Sequence, residues 1–328
     1  MKILVLGGTV FLGRAVARQA VAGGHDVVCA ARGESGRPVD GVRFVKVDRD
    51  DPGGLSALEG TFDAVVDVGR RPSHIRHAVA ALAGRAGHYT FVSSCSVYAD
   101  AATPDQTAAA ATLEAAPADF DDPFSSAEAY GRCKVAGERL AVEAFGADRV
   151  FNCRAGLIVG PEDPTGRFDY WVRRAARGGE ILAPGDPGER VQFVDVRDLA
   201  DWILLAAGTG LAGAFDGIGA PITRREFHAG LAAGVPAAQT LTWVPQEFLL
   251  EHGVAEWTGP RSLPLWLPLP QYAGFLTRDT TSALKAGLRT RPVAETVRDT
   301  LAAFGDMTHI TGLTIDEEAD LLREWHTR

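Results

Sequence analysis

The chain has 328 residues, 46% of them hydrophobic and 23% charged, with a formal net charge of −9 and a pI near 5.4. This is globular rather than disordered composition, long enough for one large domain with a smaller satellite, and its acidic balance argues against a general nucleic-acid surface. No apolar run approaches the roughly 20 residues that cross a bilayer, and strand-forming residues from Ile3 onward leave no stretch resembling a signal peptide, so a soluble, cytoplasmic protein with no membrane partner is expected.

The first predicted strand is "KILVLG" (2–7), followed by a glycine turn and a helix over 11–24 that Gly23 and Gly24 stop. Further strands are predicted at "HDVVCAA" (25–31), "VRFVKVD" (42–48) and "FDAVVDV" (62–68). A helix over 74–87, a strand over 88–94, a long helix over 126–146 and a strand over 150–156 continue the rhythm. Such alternation implies an α/β protein with a Rossmann-type, doubly wound parallel sheet covered on both faces. Beyond Gly156 the rhythm breaks into Pro-Gly loops and the Pro-rich "GPRSLPLWLPLPQY" (259–272), while "VQFVDVRDLADWILLAAG" (191–208) reads as a strand and helix returning to the main sheet. The predicted organisation is a dinucleotide-binding domain over 1–156, joined by 191–208, and a smaller interleaved C-terminal substrate lobe within 157–328. Cys29, Cys95, Cys133 and Cys153 show no metal-ligand or paired spacing, so no metal is expected, and the apolar strand-like stretches around Cys29, Cys95 and Cys153 point to buried reduced thiols. The basic "WVRRAARGG" (171–179) reads as a solvated helix face.

The turn after the first strand, "GGTVFLG", carries Gly7, Gly8, Thr9, Val10, Phe11, Leu12 and Gly13, with Arg14 next. A glycine loop between strand and helix aims backbone N–H groups and the positive helix end at a phosphate. Val10 stands where the usual spacing has its middle glycine, the one that lets the backbone approach a pyrophosphate. The loop survives if Val10 already has helical dihedrals and turns its side chain from the ligand; the alternative reading is a structural turn with no ligand. At the end of the second strand, "CAARG" has no acid for a ribose hydroxyl but offers Arg32, which with Arg14 favours NADP over NAD. Arg32 also reads as a plain loop residue. Asp48 is a candidate partner for the adenine amino group; the alternative is an ordinary helix N-cap before 52–58, a role that suits Asp50 or Asp51 better than Asp48.

The chemistry falls on "FVSSCSVYAD" (91–100) and "AYGRCK" (129–134). Tyr130 and Lys134, four apart on a helix, share one face. An ammonium beside a phenol lowers the tyrosine pKa toward neutrality, suiting it to proton transfer. Ser94, at a strand end, would orient the substrate oxygen while a nicotinamide exchanges hydride with the adjoining carbon. A Tyr-x-x-x-Lys pair alone is common on surface helices; its position after the serine strand end, in a chain opening on a dinucleotide turn, gives it weight.

These motifs, with "VVDV" (65–68), "RAGLIVGP" (154–161), "VQFVDVRDLA" (191–200) and "ALKAGLRTRPVAETVRDTLAAF" (283–304), resemble the extended short-chain dehydrogenase/reductases, the superfamily of NAD-dependent epimerases, dehydratases and related reductases. The resemblance covers nearly the whole chain. It implies Ser94, Tyr130 and Lys134 as catalytic, and Gly7, Gly13, Asp48, Val68, Gly69, Ala155 and Leu157 as cofactor positions. The "GGTxFLG" form resembles one subgroup, which makes Val10 a variant of the loop; that subgroup also includes chloroplast proteins described as RNA-binding. Substrate positions implied are Ser96, Phe168, Arg190 and Gln192, with Tyr170, Trp171 and Trp266 as further apolar walls or simply lobe core. Leu157 stands where sugar-nucleotide epimerases have an asparagine, and Val191 and Gln192 where they have an arginine, which points away from a UDP-sugar. The expected activity is oxidoreduction of a ketone or secondary alcohol of a small metabolite. The alternatives are an epimerase or dehydratase on a sugar or sugar nucleotide, and an RNA-binding protein on the same fold. The resemblance also implies a homodimer through the helices at 74–87 and 126–146.

Overall fold

A computed structural model describes residues 1–304 and 311–328. The first half runs β1 (Lys2–Leu6), α1 (Phe11–Ala22), β2 (Asp26–Ala31), β3 (Arg43–Lys46), β4 (Phe62–Asp67), α2 (Pro72–Leu82), β5 (Ala86–Ser94), α3 (Ala127–Phe145) and β6 (Val150–Ala155). There follow β7 (Ile158–Val159), α4 (Arg167–Arg177), β8 (Gly179–Pro184), β9 (Arg190–Val191), β10 (Val194–Asp195), α5 (Val196–Thr209) and β11 (Gly213–Gly217). Beyond them lie β12 (Ile222–Thr223), α6 (Arg224–Gly234) and β13 (Gln239–Val244), then short helices.

Seven strands form one parallel sheet in the order β11-β6-β5-β4-β1-β2-β3. Its central strands are mostly apolar and buried because both faces are covered, whereas the edge strand β3 is partly exposed. Ile3 and Val5 of β1 enter a core with α1 and α5, while Leu4 and Leu6 enter the opposite core with α2 and α3. The order reverses between β1 and β4, and the crevice outside the carboxyl ends of strands at such a reversal is where ligands bind in open α/β sheets.

A third apolar cluster, built around Trp171, Phe227 and Trp266, lies among residues 157–325 and includes the pair of α4 and α6 with β8 and β13. The stretch over 191–208 differs from the sequence reading. Its strand part breaks into β9, which pairs with β12, and β10, which pairs with β7; only the helix α5 returns to the main sheet. The reason is that the sheet edge beside β6 is filled by β11, in register from Gly213 against Phe151 to Gly217 against Ala155. The second helix starts earlier than the predicted 74, with Pro72 in its first turn, where its missing N–H costs nothing. No helix forms over 52–58, so Asp50 and Asp51 cap none there. All four cysteines are free and buried. Among the described residues, no helix is long and apolar enough to cross a membrane, and no cluster of three or more His, Cys, Asp or Glu could hold a metal ion.

Candidate active site

The glycine turn leaves β1 at the reversal point. Gly7 has a φ of 93°, a left-handed value suited to glycine. A Cβ at Gly13 would overlap the Gly7 carbonyl, so only glycine lets α1 lie this close to the loop. Val10 departs from the expected helical geometry. It is the extended residue before the helix, with φ −136° and ψ 141°, and it is 37% exposed at the rim of the crevice. The sharp bend falls instead on Phe11, with φ 38°. No side chain caps α1, which leaves its first-turn N–H groups to a ligand. Gly8 packs on Cys29 and Thr9 is buried, while Leu12 sits in the core beneath the helix. A cavity of about 280 Å³ runs from Gly7, Phe11 and Gly13 past Val68 and Ala155 to Ser94, Tyr130 and Lys134. Glycine lining, an uncapped helix start and this volume fit the phosphate and nicotinamide end of a dinucleotide.

The adenosine end differs from expectation. Arg32 faces Glu34 and Asp50, each 3.6 Å away. Arg14 faces Glu162 at 3.4 Å and donates to the Arg37 carbonyl, so the two guanidiniums do not converge on one phosphate. Asp48 is exposed, and its carboxylate accepts from the Asp50 N–H at 3.0 Å. Its neighbour Arg49 is the buried residue, gripping Asp67 through two hydrogen bonds of 2.7 Å.

β5 ends at Ser94, whose Oγ accepts from the Ser96 N–H and donates to the Ser96 hydroxyl, both at 3.1 Å. α3 starts at a Ser126 cap and passes so close that a Cβ at Gly131 would overlap the Ser96 carbonyl. That approach brings the Tyr130 hydroxyl beside Ser94 at the junction of the strand end and the helix. Burial pushes the Tyr130 pKa above its ordinary value, against the lowering pull of Arg70, of Ser94 and of Arg167. Lys134 supplies no such pull. Its Nζ donates to the carbonyls of Gly69 and Val92, each at 2.7 Å, and lies 5.8 Å from the Tyr130 ring centre. Burial, reinforced by Arg70, lowers its pKa to about 7. The expected ammonium beside a phenol is therefore replaced by a lysine that ties α3 to the ends of β4 and β5.

A second cavity, of about 820 Å³, opens on the other side of Tyr130 and meets the first at Arg70, Ser94, Tyr130, Ala155, Gly156 and Arg167. Ser96 lines it, and so does Leu157, which faces this cavity rather than the glycine turn. Three residues expected at the substrate lie elsewhere. Phe168 is fully buried against Phe193 and Phe227, because its helix turns that face into the third core. Gln192 is fully buried as well, its amide bonded to Gly219 and to the main chain of Arg278. Arg190 forms a double hydrogen bond with Asp105 beside a separate cavity of about 200 Å³. Trp171 and Trp266 are buried core too, and the aromatic walls come instead from Phe124, Trp257, Tyr272 and Phe275.

Sequence reasoning missed Arg70, Arg167 and Arg278 at the cavity. For Arg70 a signal existed, since it directly follows the strand-end pair Val68 and Gly69. Arg278 lies 3.4 Å from the centre of the Tyr98 ring and pairs with Asp216 at 3.3 Å. Nothing local marks it, because Asp216 reaches it from β11.

The family model described as NAD dependent epimerase/dehydratase family matches residues 3–83 and 75–214. No curated protein matches the chain. Among solved structures, a Burkholderia cenocepacia J2315 protein provisionally assigned as an epimerase is similar at a TM-score of 0.67 and 22% identity, covering 92% of this chain and 97% of that one. The Bordetella bronchiseptica enzyme WbmH, solved with NAD+, gives 0.62 and 20%, over 92% and 98% of the two chains. The UDP-N-acetylglucosamine 4-epimerase of Bacillus cereus gives 0.65 and 16%, over 93% and 100%. At these identities the likeness is one of fold.

Proposed function

Because this chain belongs to the NAD dependent epimerase/dehydratase family, we propose that it uses NAD to interconvert a secondary alcohol and its ketone at a carbon held against Tyr130. The observation that carries this reading is the meeting of two cavities, one glycine-lined and one large enough for a small metabolite, at Ser94 and Tyr130. Gly7 to Gly13 would hold the pyrophosphate, with Val68, Gly69 and Ala155 beside the nicotinamide. When bound, the nicotinamide supplies a hydride acceptor or donor. Ser94 would hold the substrate oxygen, Tyr130 would take or return the hydroxyl proton, and Lys134 fixes the carbonyls of Gly69 and Val92 by the ends of β4 and β5.

NAD is favoured over NADP because Glu34 and Asp50 stand beside Arg32 and would repel a 2′-phosphate, and because WbmH was solved with NAD+. A UDP-sugar is disfavoured by Leu157, by the burial of Gln192 and by the pairing of Arg190 with Asp105. The second reading is an epimerase or dehydratase that keeps its NAD, supported by the family and by the activity named for the Bacillus cereus neighbour. A homodimer through α2 and α3, which pack side by side, belongs to either reading; a monomer in light scattering at micromolar concentration would remove it.

One experiment separates the readings. Freshly purified protein is denatured, the released nucleotide is identified by mass, and nicotinamide consumption is followed during turnover. Net consumption supports oxidoreduction, and turnover without any supports epimerisation or dehydration. Either activity is expected to fall by about 10²–10⁴ in Tyr130→Phe; an unchanged rate would refute the proton role.

A further inference from the structure

We propose that the substrate carries a carboxylate next to the reacting carbon, held between Arg70 and Arg167. This deepens, and rests on, the reading of Tyr130 as the proton carrier. Arg70 follows β4 and Arg167 opens α4, and both line the junction of the two cavities. Neither forms an ion pair with a carboxylate among the described residues. The Arg70 guanidinium lies 5.7 Å from the Phe124 ring. That of Arg167 lies 4.7 Å from the Trp257 ring and donates to the Thr165 hydroxyl at 3.2 Å, and Asp163 acts on it electrostatically.

The cavity's other charges are already satisfied or peripheral. Arg278 is held by Asp216 and by the Thr107 carbonyl. Asp100, Glu128 and Glu256 are exposed at the rim. The end at Tyr130 is thus cationic: the exposed Arg70 and the half-buried Arg167, on which Asp163 acts electrostatically, both offer donors to an anion. Both guanidiniums act electrostatically on the Tyr130 hydroxyl. Arg70, Arg167 and Tyr130 all line the junction of the two cavities, so an anion reaching both guanidiniums sits in the same junction as the oxygen that meets that hydroxyl. The diphosphate of a sugar nucleotide, across a sugar ring from the reacting carbon, does not satisfy this, whereas a planar carboxylate does. Leu113, Leu267, Phe275 and Leu276 line the remainder, so the body beyond the carboxylate is apolar. The substrate class is a hydroxy acid and its oxo acid. In the reduction the Tyr130 hydroxyl gives its proton to the substrate oxygen while the carbon takes a hydride from NADH, giving the hydroxy acid and NAD+, and Tyr130 regains a proton from solvent; the oxidation is the reverse and releases that proton.

Benzoate and benzamide, alike in shape but differing in charge, test this by calorimetry on the full chain saturated with NAD+. Benzoate is expected to bind at least tenfold more tightly. The gap should vanish in the doubly substituted Arg70→Gln, Arg167→Gln protein, whose retained NAD+ binding shows that it folds. Equal affinities in the unsubstituted protein, or a gap that survives both substitutions, would overturn the proposal. So would competition between benzoate and NAD+, which would assign the guanidiniums to the cofactor pyrophosphate. A protein that binds no NAD+ at all would instead refute the cofactor reading, and this inference with it.

Discussion

At the scale of single residues, the serine, tyrosine and lysine of the site are legible in the sequence because a helical spacing and a strand end fix where they stand. What Lys134 does there is not legible. Its partners are the carbonyls of Gly69 and Val92, brought to it by two strands distant in sequence. Its lowered pKa has a consequence for stability. The folded value is about 7 against an ordinary 10.5, so between those values the unfolded chain binds more protons, and stability rises with pH across that window. Below about pH 7 the penalty for burying the ammonium is present in full. Lys134→Met removes this titration. In urea melts of cofactor-free protein, wild type should therefore gain on the variant as pH is raised from neutrality toward 10, a trend set by the Lys134 pKa. A gap that stays constant would show that the lysine is not titrating there.

At the scale of elements, the alternation of strand and helix was readable because every central strand is buried on both faces. The fate of 191–195 was not, since it depends on which segment fills the edge beside β6. Equally hidden were the charged ties that hold the strand ends together. At the end of β4, Asp67 accepts from Arg49, from the Tyr89 hydroxyl at 2.6 Å and from the Gly69 N–H at 2.7 Å. One turn beyond Lys134, Glu138 accepts from Ser93 and from two nitrogens of Arg154, which also donates to the Tyr98 hydroxyl and the Ala108 carbonyl. This tie joins α3 to β5 and β6 directly beneath Ser94. Glu138→Ala leaves the Arg154 cation buried without its partner, and is expected to cost about 3–5 kcal/mol. Urea denaturation measures the loss. A cost below about 1 kcal/mol, the range of exposed pairs, would mean that the pair contributes only as a surface bridge does.

At the scale of the whole molecule, the acidic charge and the site at the sheet reversal weigh against RNA binding, and an RNA affinity that falls with salt yet survives Tyr130→Phe would reverse that. The choice of cofactor is also a property of the assembled fold. Read in sequence, Arg32 suggests a 2′-phosphate; folded, it lies between Glu34, on its own loop, and Asp50, which arrives after β3. A dinucleotide along the crevice would bridge the glycine turn, the ends of β4 and β5, and α3, binding only the folded chain. Its stabilisation follows mass action, about 2.7 kcal/mol at a concentration one hundred times the dissociation constant. NAD+ is therefore expected to raise the melting temperature by several degrees. NADP+ at the same concentration should raise it less, because its extra phosphate meets those two carboxylates. Replacing both acids, Glu34→Gln with Asp50→Asn, removes the repulsion and leaves Arg32 free, so the difference between the cofactors should shrink or reverse. If NADP+ stabilises the unsubstituted protein more than NAD+ does, the acids do not control the pocket and Arg32 does.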